Sequence, residues 1–183
     1  MPESPTPANP FESGARKAIP AVLVYARFER RVLMVHRNGR PGDYHSGKWN
    51  GLGGKLEPGE SPRQAAHREF REETGVEVPE GSFRGLGSLT FPNFKPHKNE
   101  DWLVYVFVAD LPAECAHAIG TRNAEGELHW VPADELARLN LWPGDRHFIG
   151  FVERDEPFMG TIWYEGERVI NRWVQCLGFS PPS

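Results

Sequence analysis

One stretch constrains this chain more than any other: Gly54–Val76, GKLEPGESPRQAAHREFREETGV. Its middle reads as a helix over Ser61–Thr74 whose borders are written in the residues. Ser61 is a good N-cap, Pro62 suits the first helical position, and Gln64 completes a capping box with Ser61. Gly75 is the expected left-handed stop, with Val76 placed for the apolar contact that follows such a cap. At about 100° per residue, Glu69, Glu72 and Glu73 share one face of this helix. Arg68 borders the acidic arc within i,i+4 reach of Glu72, and Glu60, just before the N-cap, can fold over the same face. Ala65 and Ala66, one turn back, are expected to leave open space beside the carboxylates. Carboxylates at i,i+3 and i,i+4 repel by about 0.2–0.5 kcal/mol per pair. Glu72 and Glu73 also sit in the last turn, where the helix dipole disfavours anions. A helix selected for stability alone would not be built this way.

Three glutamates on a helix are most often a solvated acidic face. Here they come with Arg68, two flanking glycines and explicit caps. Clustered carboxylate oxygens suit Mg²⁺, a hard cation that keeps several waters and bridges to substrate phosphates. The same residues resemble the Nudix box, G-x5-E-x7-R-E-U-x-E-E-x-G-U with U bulky and apolar. Gly54, Glu60, Arg68, Glu69, Phe70, Glu72, Glu73, Gly75 and Val76 fill every fixed position, Phe70 being larger than the more usual aliphatic residue. The resemblance implies an α/β chain with the Nudix fold, an α/β/α sandwich around a mixed central sheet. It also implies a metal-dependent pyrophosphohydrolase using Mg²⁺, with Mn²⁺ as the alternative.

The rest of the chain fits that frame. A length of 183 residues with 39% hydrophobic content suits one domain with a real core. A net charge of −4 without a basic run argues against a nucleic-acid polymer as partner. Cys115 and Cys176 are too few for a disulfide scaffold or zinc cage, which suits a reducing cytoplasm. The histidines stand outside any H-E-x-x-H or C-x-x-C frame and read as ordinary surface or core residues. No leader opens the chain and no apolar run reaches membrane length. The expectation is a cytoplasmic monomer or homodimer.

Along the chain, residues 1–16 are Pro-rich and read as a disordered tail, 17–177 as the domain, and 178–183 as a flexible end. Strands are expected at Lys17–Ala26 and Arg31–Arg37, then a loop over Asn38–Lys48 and the glycine-rich Trp49–Lys55 leading into the helix. Beyond it, Ser82–Phe91 and Trp102–Ala109 read as strands around a polar loop, Pro92–Asp101. Pro112–Gly126 reads as irregular, Glu127–Val131 as a short strand, and Pro132–Leu139 and Pro143 to about Arg154 as helices. Phe158–Tyr164 and Val169–Val174 close the chain as a hairpin.

Outside the box, Lys48–Lys55 (KWNGLGGK), Leu89–Val108 and Leu139–Val152 resemble the MutT-like Nudix enzymes that clear oxidised purine nucleoside triphosphates. That resemblance implies a base pocket of Asn50, Asp145, Phe91, Trp102 and Trp142, with Arg37, Gly53 and Lys55 as further substrate contacts. The residue types agree. Asn50 offers a donor and an acceptor on one amide, Asp145 suits two adjacent donors of a guanine-type edge, and the aromatic rings offer stacking walls. The plainer readings are core packing for the rings, a turn for Asn50 and a helix N-terminal acid for Asp145. In one departure, Gly144 stands where the mammalian enzyme has the first of two adjacent aspartates, so Gly144→Asp is expected to tighten base selectivity. The resemblance further implies that Gly54, Glu69, Glu72 and Glu73 hold the metal, with Glu125 as an extra carboxylate and Glu127 its competitor. Arg68 would orient the carboxylates, and Glu72 or Glu125 would take a proton from the attacking water. A nucleoside triphosphate would leave as monophosphate and pyrophosphate. ADP-ribose, suggested by Pro92, and pyrimidine nucleotides are the rival substrates. A non-catalytic nucleotide-sensing module is the rival of another class.

Overall fold

A computed structural model of the chain describes residues 16–37 and 47–178. Most of the readings for the two tails and for the loop at 38–48 therefore lie outside the described residues. Arg16 and Lys17 are described: the Arg16 guanidinium pairs with Asp101, and Lys17 already belongs to the first strand.

A mixed sheet in the order β3-β2-β1-β5-β4-β7-β8 runs through the molecule, with β6 also paired to β2. Its strands are β1 (Lys17–Phe28), β2 (Arg31–His36), β3 (Trp49–Asn50), β4 (Phe83–Lys95), β5 (Glu100–Asp110), β6 (Glu127–Pro132), β7 (Phe158–Glu165) and β8 (Arg168–Cys176). β1 lies parallel to β5, and β4 parallel to β7. β1 is central and covered on both sides, which is why its sequence is a continuous apolar run rather than an alternation. Val22, Val24 and Ala26 join the core beneath the helix α1 (Pro62–Thr74), while Ala21 and Tyr25 join the opposite core. Among the described residues no helix is long and apolar enough to cross a membrane.

Pro20 sits inside β1 without breaking the ladder to β5. The even-numbered residues of β1 donate away from β5: Val22 N–H to Gly54 O at 2.8 Å and Val24 N–H to Leu52 O at 2.7 Å. Pro20 is next in that series, so its missing donor falls on the side of segment 52–56 and not on the β5 ladder, and its carbonyl still accepts from Leu56 N–H.

α1 has the borders its sequence specifies. Ser61 and Gln64 form the capping box, and Gly75 adopts φ 71° while donating to Arg71 O. Ala65, Ala66 and Phe70 are fully buried against the sheet, with Phe70 edge-on to Phe83 at 5.6 Å between ring centroids. The two alanines thus do not open space beside the carboxylates, as the sequence suggested. Their small size instead seats the helix closely on the sheet, leaving Glu69 and Glu73 at its rim.

The other face is covered by a 3₁₀ segment, Ala133–Arg138, a 3₁₀ turn, Asp145–His147, and a short helix α3 (Ile149–Arg154). The continuous helix expected from Pro143 is broken at Phe148, at φ −127°. Phe148 is fully buried and stacks on Phe158 at 5.6 Å, so packing decides the backbone there. Gly150 lowers the helical preference of the same segment. Two other readings shift. β4 continues to Lys95 through an irregular stretch after Phe91, reducing the expected loop to Pro96–Asn99. A short helix α2 (Ala113–Ala118) lies within the stretch read as irregular.

Candidate active site

The site is built where segment 52–56 is laced to β1. Leu52 and Val24 exchange two hydrogen bonds, Val22 donates to Gly54 O, and Leu56 donates to Pro20 O. This lacing leaves no room for side chains at 53 and 54. Gly53 has φ 139°, and a Cβ there would run into the Val22 carbonyl; a Cβ on Gly54 would run into the Glu69 carboxylate. The backbone of both glycines therefore lies directly against the acidic face of α1.

Arg68 organises that face. Its guanidinium donates to Glu60 at 2.7 and 2.9 Å, to Glu69 at 2.9 Å, to Glu72 at 3.3 Å and to Lys55 O at 3.0 Å. Its hydrogen bond holds the Glu60 carboxyl below the usual range, and the guanidinium is itself strengthened as a cation, chiefly by Glu60. Glu60 also accepts from the Glu57 N–H at 2.8 Å. Glu72 is the outermost of the three helix carboxylates, at 53% exposure against 14% for Glu69.

Glu73 is held differently. It accepts from Gly53 N–H at 2.7 Å and from the Asn123 amide at 3.2 Å. Burial pushes its carboxyl up to about 8 against the Gly53 hydrogen bond, and the nearby charges of Glu125 and Glu69 push the same way. Glu69 is also raised, by burial first, with Arg68 opposing and Glu72 and Glu125 adding to the rise. Charge repulsion and burial of this kind are what a divalent cation relieves, and an all-oxygen donor set suits a hard one. Glu69, Glu72, Glu73 and Glu125 fit such an ion on that ground.

Asn123 was not singled out in the sequence. Its side-chain carbonyl accepts from the backbone N–H groups of Glu125 and Gly126, both at 2.9 Å, folding the loop that carries Glu125 toward Glu73. An Asn two residues before a charged residue and a glycine is a turn signal that could have marked it. Glu125 pairs with Arg37 at 2.9 Å, and the Arg37 Nε is buried with no acceptor among the described residues. Glu127, the competing carboxylate, instead lies 3.3 Å from His129 on the far side of its strand.

Of the residues read as a base pocket, Phe91 and Trp102 belong to the core on the sheet face opposite α1, and Lys55, whose carbonyl accepts from Arg68, lies over the Trp102 ring. Asn50 lies on β3 opposite Val35 and is half-buried. Trp49 N–H donates to Asn140 O, and Lys48 reaches Asn140 Oδ1 at 3.1 Å and lies over the Trp142 ring at 5.5 Å. These contacts bring β3 together with the loop bearing Trp142 and Asp145. Asp145 is 7% exposed, and no residue described here donates a hydrogen bond to its carboxylate. Burial raises its pKa to about 7, with the Lys48 charge opposing. Phe91 and Trp102 are register partners on β4 and β5, and Phe94 and Tyr164 complete a connected aromatic wall. Lys55 and Lys95 lie over the Trp102 ring at 5.4 and 4.7 Å. Phe94, Lys48, Lys95 and Tyr164 were not predicted: the first three lie within stretches that resemble the MutT-like enzymes, but what all four touch is set by segments distant in the chain.

The pattern of the NUDIX domain family matches residues 16–150. The chain is 31% identical over 138 residues to the Nudix hydrolase YvcI of Bacillus subtilis, covering 75% of this chain and 81% of that protein. It is 28% identical over 149 residues to the oxidized purine nucleoside triphosphate hydrolase of Mus musculus, covering 81% and 88%. Among solved structures, a mutator MutT protein from Bacillus halodurans aligns with a TM-score of 0.70 at 25% identity, over 85% of this chain and 97% of that one. The chain belongs to the Nudix family. It is a hydrolase acting on phosphoric anhydride bonds.

Proposed function

We propose that the enzyme hydrolyses oxidised or unmodified purine nucleoside triphosphates, with 8-oxo-dGTP as the type substrate, to the monophosphate and pyrophosphate. The single observation that carries the base assignment is Asp145: a buried carboxylate without a donor from the described residues, on a turn bonded through Gly144 to Tyr164 of the aromatic wall. Burying a carboxyl is costly, so a ligand that hydrogen-bonds it is the natural complement. At a pKa near 7 the group offers either two acceptors or one donor and one acceptor to a purine edge. The likeness to the murine oxidized purine nucleoside triphosphate hydrolase supports the same reading.

In this reading Glu69, Glu72, Glu73 and Glu125, with the backbone of Gly54, hold Mg²⁺. The bound ion supplies Lewis acidity toward the phosphate oxygens and toward water. Arg68 fixes Glu69 and Glu72 in place, and the Gly53 and Asn123 donors fix Glu73. Arg37 offers its unpaired Nε to phosphate, and Glu72 or Glu125 removes the proton from the attacking water. Asn50 and Asp145 read the base while Trp102, Phe91 and Trp142 stack against it.

The test is a Mg²⁺-dependent panel of 8-oxo-dGTP, dGTP, CTP and ADP-ribose, run with wild type and Asp145→Ala. A bidentate contact discriminates by about 1–3 kcal/mol. Asp145→Ala should therefore raise KM for 8-oxo-dGTP roughly 5–150-fold more than for CTP. A wild-type preference for ADP-ribose, or an equal loss on every nucleotide, would overturn the assignment.

A further inference from the structure

We propose that His36, Glu127 and His129 form a second metal site, for a zinc-type divalent transition ion, on the β2–β6 edge of the sheet. Their ligand atoms all lie within 4.8 Å of one another. No residue spacing marks this site, because it is assembled by strand register and not by a local motif.

The register is explicit. His36 and Glu127 are partners across β2–β6, and Met34 is the partner of His129, so the three donors form one cross-strand triangle. They alternate with Val35 and Leu128, which are buried toward α1, so they emerge on the opposite face. The His36 ring is stacked on Trp49, with centroids 4.4 Å apart and planes 15° apart, which limits its freedom. His129 lies against both rings, at 6.3 Å from His36 and 5.2 Å from Trp49. Its Nε2 is 3.3 Å from Glu127 Oε2.

Two imidazoles and one carboxylate are borderline donors that suit Zn²⁺, Co²⁺ or Ni²⁺ better than hard Mg²⁺. Tetrahedral zinc with bonds of about 2.1 Å places its ligand atoms roughly 3.4 Å apart. The ladder fixes the three Cα atoms, so closing the remaining distance falls to the side-chain torsions. Three protein ligands leave a fourth position for water. His36 directly precedes Arg37, and Glu127 follows Glu125 by two residues. An ion here would tie together the two strand ends that carry the Arg37–Glu125 pair.

Zinc binding to the full chain should be measured by calorimetry with Mg²⁺ in large excess, so that hard-cation sites are filled. Co²⁺ absorption in the visible range then reports a nitrogen-containing low-coordinate site. Wild type is expected to bind one equivalent of Zn²⁺. His36→Gln and His129→Gln should each weaken it by about tenfold or more, and Glu127→Gln should weaken it measurably. Circular dichroism checks the fold of each variant, and the exposed His129 gives the decisive substitution if His36→Gln is poorly folded. Absence of zinc binding under excess Mg²⁺ would overturn the site. So would an unchanged isotherm in His129→Gln and Glu127→Gln, which would place the ion elsewhere.

Discussion

The backbone N–H of Gly144 donates to the hydroxyl oxygen of Tyr164 at 2.6 Å. This bond pins the end of β7 to the turn that presents Asp145. It also explains why residue 144 lacks a side chain: a Cβ there would fall on the Tyr164 hydroxyl. From sequence, Gly144 looked like a missing carboxylate that aspartate would restore. In the fold, Tyr164 already fills that space.

Gly144→Asp is accordingly expected to displace Tyr164 and lower the melting temperature rather than sharpen base selection. A double-mutant cycle with Gly144→Ala and Tyr164→Phe should show a coupling of about 0.5–3 kcal/mol, as for residues in direct contact. Strictly additive effects in thermal melts would mean that the contact is unimportant.

Glu72→Gln and Glu73→Gln should each lower hydrolysis by at least about 10²–10⁴-fold while preserving the fold. Glu73→Gln keeps an oxygen for the Gly53 N–H, so its circular dichroism should match wild type. Near-normal turnover of either variant with Mg²⁺ would show that the reacting centre lies elsewhere.

Added Mg²⁺ should raise the melting temperature of wild type and scarcely change that of Glu69→Gln/Glu73→Gln. An ion that binds only the native state stabilises it by mass action, and here it also relieves the crowding of carboxylates. Equal shifts in the two proteins would refute the assignment of these ligands.

Asp145 predicts a pH dependence. Its carboxyl is raised to about 7 by burial, from an ordinary 3.8, so the folded chain holds the proton more tightly than the unfolded one. The stability this contributes is fully present below about pH 4 and is lost as pH rises through about 7. Asp145→Asn carries no such group. Its stability relative to wild type should therefore increase between about pH 4 and 7, by on the order of 4 kcal/mol at most. A difference that stays constant across that range in parallel melts would contradict a buried, raised carboxyl.

What the sequence determined was local. The capping box at Ser61 and Gln64, the left-handed Gly75, and the shared face of Glu69, Glu72 and Glu73 all follow from contacts within four residues, so spacing alone reveals them. The long strands β1 and β5 were equally legible, because a central strand buried on both faces must be apolar throughout. What only the tertiary structure decided depends on partners distant in the chain. The lacing of 52–56 to β1 sets Gly53 and Gly54 against the carboxylates, and Asn123 turns Glu125 inward. Cross-strand register separates Glu127 from that group and places it with His36 and His129. Packing of Phe148 breaks the helix expected after Pro143, and the same layer buries Asp145 deeply enough to shift its proton. Residue spacing records which groups share a helix face, but burial and electrostatic environment arise only when separate segments remove one another from water.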